Sequence, residues 1–109
     1  MENQSTSKQK FCYVLKLFPE YYDLDNWPEE ANATLSTHFN YLKKLTEEGF
    51  LILAGRTVNN PMTGDDFGIC ILEASSKEEA QNILDNDPSV KDKVMYATLY
   101  DFSLALLRK

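Results

Sequence analysis

The octapeptide FCYVLKLF, residues 11–18, is apolar on both faces that an extended chain presents. In a strand, Phe11, Tyr13, Leu15 and Leu17 point one way. Cys12, Val14, Lys16 and Phe18 point the other way, with one charge among them. FLILAGRT (50–57) is apolar on both faces too, and FGICILEA (67–74) nearly so. A sheet built from such strands has to be covered on both sides. That requirement limits the fold more than any other feature of the sequence.

The segments between the strands supply one cover. Pro19 ends the first strand, and PEYYDLDNWP (19–28) reads as a loop carrying Tyr21, Tyr22 and Trp27. A helix opens near Pro28, with Glu29 and Glu30 at the positive end of its dipole. It runs to Glu48 and closes at Gly49, the residue best able to take the left-handed cap conformation. VNNPMTGDD (58–66) connects the second and third strands, with Pro61 and Gly64 as turn formers. Ser76 and Glu79 form a capping-box signature for a second helix, which reaches about Asn86 before Pro88 stops it. MYATLYDFSLALL (95–107) reads as a long last strand.

The order is β-α-β-β-α-β. In an α+β chain this is the split βαβ, or ferredoxin-like, arrangement: a four-stranded antiparallel sheet with two helices on one face. The polar run MENQSTSKQK (1–10) reads as a frayed tail ahead of a single domain over 11–109. The helices leave one apolar face bare, and a second copy of the chain is the economical cover. A homodimer packed through the open sheet face is therefore expected.

Charge and composition remove several function classes. A net charge of −6 repels phosphate backbones and anionic headgroups, so neither nucleic acid nor membrane is expected as a partner. The N-terminus lacks the hydrophobic segment of a secretory signal, and Cys12 and Cys70 read as reduced core residues of a cytoplasmic protein. One histidine and two distant cysteines offer no metal-ligand spacing. The scattered glycines make no phosphate loop for a nucleotide cofactor, and no cofactor is expected.

The single histidine stands in LSTHFNYLKKL (35–45). On a helical wheel the apolar arc holds Ala31, Leu35, Phe39, Leu42 and Leu45, and His38 falls within it. The second helix has a shorter arc of Ala80, Ile83 and Leu84, with Asp87 at its next position. An inward imidazole and an inward carboxylate on neighbouring helices invite each other, because buried charges need partners. Such a contact fixes the imidazole tautomer and leaves the other ring nitrogen for a ligand proton, the arrangement used in general acid–base chemistry. A satisfied core histidine and a helix-stop aspartate are the plainer reading of the same residues.

HFNYLKKLTEEGFLILAGRT, followed by FGICILEASSKEEAQNILDNDPSVKDKVMYATLYDF, resembles the YciI-like (YCII-related) domain family. The resemblance rests on H-x-x-Y-L-x-x-L-x-x-x-G from His38 to Gly49, on Leu-Ala-Gly at 53–55, and on the alanine-containing helix that runs into Asp87-Pro88. It covers the chain from Phe11 onward and makes 11–109 a YciI-like domain. It implies a ferredoxin-like fold that dimerises as an α+β barrel, with a His/Asp site at His38 and Asp87. One relative removes chloride from a chlorinated hydroxyhydroquinone, and muconolactone isomerase is a structural cousin. Two positions depart from the family pattern: Leu35 stands where many relatives carry arginine, and Arg56 where many carry proline.

The leading expectation is a small enzyme that moves a proton on an activated carbonyl or ring substrate by isomerisation, dehydrohalogenation or lactone chemistry. His38 acts as base and acid, Asp87 orients it, and Arg56, Tyr22 and Trp27 are candidate substrate-binding residues. The alternative is a non-catalytic ligand-binding or interaction module in which the pair clamps a ligand or holds the helices. Haem is a third, weaker idea, because dimeric α+β barrels include haem proteins with a helix histidine ligand.

Overall fold

The computed structural model describes residues 8–108. The chain forms β1 (Gln9–Leu17), α1 (Glu29–Glu47), β2 (Leu51–Arg56), β3 (Gly68–Ala74), α2 (Lys77–Asp85), α3 (Pro88–Lys91) and β4 (Met95–Asp101). A single 3₁₀ turn, Pro19–Tyr21, follows β1. The strands make one sheet in the order β2-β3-β1-β4, with every neighbouring pair antiparallel. This is the ferredoxin-like architecture expected from the element order. The expected tail over residues 1–10 falls outside the described residues for 1–7, while Gln9 and Lys10 already belong to β1.

Alternation in β1 decides which side is core. Phe11, Tyr13, Leu15 and Leu17 are buried under the helices, whereas Cys12, Val14 and Lys16 are half-buried on the opposite face. The ladders align helix-side rows across the sheet: Leu51, Leu72 and Phe11; then Ala54, Cys70, Tyr13 and Leu99; then Arg56, Gly68, Leu15 and Ala97. A β-bulge at Ile52 switches the phase of β2, so that Leu53 and Gly55 point to the open face. The main core lies between the sheet and α1 and α2. A smaller cluster of Leu17, Ala31, Met62 and Val94, with Tyr21, Tyr22, Leu24 and Trp27 packed on it, closes one end.

Each helix end has a local cause. Past α1, Gly49 adopts φ +88°, Phe50 N donates to Leu45 O and Gly49 N donates to Thr46 O, which is a complete Schellman closure. At α2, Ser76 Oγ accepts from Glu79 N, but the Glu79 carboxylate reaches Ser75 N and Oγ, one residue earlier than the expected box. Pro88 ends α2 as expected, yet it also begins α3, whose N-cap is Asp87.

Three expectations need correction. The buried stripe of α1 is Ala31, Thr34, His38 and Leu45, whereas Leu35 and Phe39 are exposed at 36% and 66%. The stripe turns because α3 packs beside α1 and offers polar partners there, among them Asp92, whose carboxylate accepts from Thr34 Oγ1 at 2.8 Å. Asp87 is not a position of α2; it follows the C-cap Asn86 in extended conformation, as the residue before a proline should. The last strand ends at Asp101, and residues 102–108 continue without regular structure, with Phe102, Leu104 and Leu107 bordering a groove over Ile71 on the open face.

Gly49→Ala tests the α1 closure. A Cβ at this position meets nothing within 4 Å, so the cost is backbone conformation alone. A loss of about 1 kcal/mol in urea unfolding is expected from forcing a non-glycine residue to positive φ.

Candidate functional site

The second helix-side row carries the site. Tyr13 is fully buried at its centre, and its hydroxyl donates to Asp87 Oδ2 at 2.9 Å. From above, α1 brings His38, whose Nδ1 lies 2.6 Å from Asp87 Oδ1. Ser89 donates to the same Oδ1 twice, through its backbone N–H and its hydroxyl, both at 2.9 Å. Asp87 has no exposed surface, and its carboxylate accepts four hydrogen bonds contributed by β1, α1 and α3.

This donor set fixes the protonation pattern. Complete burial pushes the Asp87 carboxyl up, but the His38 contact and the Ser89 donors outweigh burial and hold it below its ordinary value. An ionised carboxylate only accepts, so the proton in the 2.6 Å contact sits on His38 Nδ1. Among the described residues no donor or acceptor meets Nε2, and no buried polar atom is left unpartnered. A tenth of the His38 side chain remains exposed.

The surrounding groups are chemically quiet. Burial raises the Tyr13 phenol far above its usual range, so it remains a neutral donor. Burial likewise pushes Tyr41 up to about 12, and its hydroxyl donates to Ile83 O at 2.7 Å, tying α1 to α2. Cys70, beside Tyr13, is also pushed up to about 12 by burial and stays a thiol. Among the described residues no cluster of three or more His, Cys, Asp or Glu side chains is placed to hold a metal.

Of the expected site residues, the structure brings His38 and Asp87 into contact. Tyr22 and Trp27 pack on the smaller cluster instead. Trp27 Nε1 donates to Tyr21 O at 2.9 Å, and Met62 N donates to Tyr22 O at 3.0 Å. Arg56 ends β2, where its guanidinium meets Thr57 O and the Met62 sulfur. The sequence reading missed Tyr13 and Ser89. The signal for Tyr13 was its place in the buried alternation of β1, since a buried phenol needs a partner. The signal for Ser89 was Asp-Pro-Ser, an N-cap followed by proline at the first helical position.

The depressed Asp87 carboxyl gives a signed pH dependence. Its stabilisation is fully present above the unfolded carboxylate value of about 3.9 and is lost as pH falls through the lower folded value. Asp87→Asn removes this component. Chemical unfolding at a series of pH values should show wild type well ahead of the variant above about pH 5, with the gap closing toward pH 2.

Comparison with known proteins places the chain in a family. No curated protein matches the chain in sequence. Among solved structures, it is similar to the 5-chloro-2-hydroxyhydroquinone dehydrochlorinase TftG from Burkholderia phenoliruptrix AC1100 in complex with 2,5-dihydroxybenzoquinone. The TM-score is 0.66 at 19% identity, covering 88% of this chain and 95% of that one. It is also similar to a putative antibiotic biosynthesis monooxygenase from Bacteriodes thetaiotaomicron VPI-5482, with a TM-score of 0.51 at 11% identity, covering 95% and 97%. At these identities the likeness is one of fold. The YCII-related domain matches residues 13–102, from the tyrosine that supports Asp87 to one residue past β4, and the chain belongs to that family.

Proposed function

We propose that this protein is a small-molecule enzyme in which His38 and Asp87 perform general acid–base chemistry on an activated carbonyl or ring substrate. The observation that carries the reading is the buried 2.6 Å contact that engages Nδ1 and leaves Nε2 uncommitted among the described residues. Nε2 takes a proton from a substrate C–H or O–H, and the Asp87 carboxylate stabilises the imidazolium that forms. In an isomerisation the same nitrogen returns the proton to another atom. In a dehydrohalogenation the electron pair left behind forms a new double bond, and the carbon–halogen bond breaks with release of halide.

The structural neighbour TftG supplies a probe, 5-chloro-2-hydroxyhydroquinone. Chloride release from it, or turnover of related quinols, should fall about 10²–10⁴-fold in His38→Ala. Asp87→Asn should fall comparably, because it no longer holds the required tautomer. If both variants lose melting temperature and the wild type shows no turnover across a quinol and lactone panel, the pair is a structural clamp in a binding module.

We also infer that two copies pack through the open sheet face in a reducing compartment. Leu53, Tyr96 and Tyr100 are exposed on this face beside half-buried Cys12, Val14 and Ile69. Cys12 pairs across β3 with Ile71 and Cys70 pairs with Tyr13, so the two free thiols lie on opposite faces and cannot join. Light scattering should give twice the chain mass, and Val14→Glu should halve it.

A further inference from the structure

The two oxygens of Asp87 are not equally engaged. Oδ1 accepts from His38 Nδ1 at 2.6 Å and from both Ser89 donors at 2.9 Å. Among the described residues, Oδ2 accepts from the Tyr13 hydroxyl alone, at 2.9 Å. The one ion-pair partner of the acid among them is His38. Asp87 therefore spreads its charge either onto the ring or onto neutral donors. Each neutral donor lowers the proton affinity of a carboxylate and so weakens it as an acceptor from the ring.

Neighbouring titratable groups leave this task to Tyr13. Cys70 on β3 and Tyr41 on α1 are both pushed up to about 12, mainly by burial and further by the Asp87 charge, so both stay neutral. The Tyr41 hydroxyl donates to Ile83 O, and Asp92, just past α3, accepts from Thr34 Oγ1. Water cannot stand in for the phenol. β1 is an interior strand, with Tyr13 paired to Cys70 on one side and to Leu99 on the other. Both Tyr13 and Asp87 are fully buried. A phenylalanine in place of Tyr13 fills the same space and leaves Oδ2 dry and bare, in a core where charge is weakly screened.

We propose that Tyr13 is a positioning residue for the acid–base pair: its hydroxyl draws charge to Oδ2, weakens the hold of Oδ1 on the His38 Nδ1 proton, and lets an imidazolium formed in the reaction give its proton back. The inference rests on the acid–base reading above and assigns what regulates that pair. A side chain that acts first as base and then as acid works best when neither protonation state is held too firmly. A carboxylate with no neutral donor on Oδ2, in a dry core, would favour imidazolium so strongly that proton uptake at Nε2 became hard to reverse. The Tyr13 hydroxyl keeps the exchange two-way without giving up its own proton, because burial raises the phenol far above its usual range.

Magnetic resonance with isotope-labelled histidine tests this without a substrate, since His38 is the only histidine of the chain and its ring signals need no sorting. In wild type the Nδ1 proton should give a single low-field resonance. Tyr13→Phe should move it further downfield, as the Nδ1–H to Oδ1 bond strengthens. Replacing Tyr13 by fluorotyrosine, a stronger donor of nearly the same volume, should move it upfield. Tyr41→Phe frees Ile83 O and touches no carboxylate, so it should leave the resonance in place; a loss of stability shared with Tyr13→Phe cannot mimic the effect. A resonance unmoved or moved upfield in Tyr13→Phe, an equal downfield shift in Tyr41→Phe, or a wild-type Nδ1 that carries no proton overturns the proposal. Turnover by His38→Ala is scored separately: if it persists, the acid–base reading falls while the tuning of the contact by Tyr13 stands.

Discussion

A carboxylate with no contact to water governs the middle of this molecule. Asp87 is stable there because β1, α1 and α3 each deliver hydrogen to it, and no helix or strand alone could satisfy it. Taking away one donor leaves a buried charge short of a partner, which costs far more than an exposed ion pair contributes. The position of α3 against α1, and hence the buried stripe of α1, follows from meeting this demand. Rigidity at the imidazole is a by-product, since a ring held by one nitrogen to a fixed acid can offer the other nitrogen in one direction only.

Much of this was legible in the sequence, for identifiable reasons. Alternation in β1 and the Gly49 closure are local, so the boundaries of β1 and α1 came within a residue or two. The meeting of His38 with Asp87 was legible because two polar residues sat where apolar ones belonged. The route was not. A helical wheel assigns a single burial direction, and it ranked Leu35 and Phe39 above Thr34 because it sees hydrophobicity and not the hydrogen-bond partners that α3 brings. Asp87 was placed by extending α2 one residue too far, when proline had already forced the chain out of the helix. Tyr22 and Trp27 drew attention as aromatics in a loop, but loop aromatics near a proline can simply pin the chain, as these do on Met62.

The comparisons sharpen what fold can and cannot say. Two solved structures share this architecture at 19% and 11% identity, and their names describe different chemistries. A ferredoxin-like sheet is a platform, and function resides in the side chains mounted on it. In this chain a tyrosine, an aspartate and a histidine are stacked from the sheet outward.

The irregularity at Ile52 has a consequence for how this surface can change. One additional residue in an edge strand inverts the direction of everything after it until the strand ends at Arg56. Were the kink ironed out by a one-residue slip, Leu53 and Gly55 would swing beneath α1, and the guanidinium would emerge on the open face. A single-codon insertion or deletion near this position thus has an effect that no point substitution matches, exchanging in one event the side chains that the edge strand presents on its two faces.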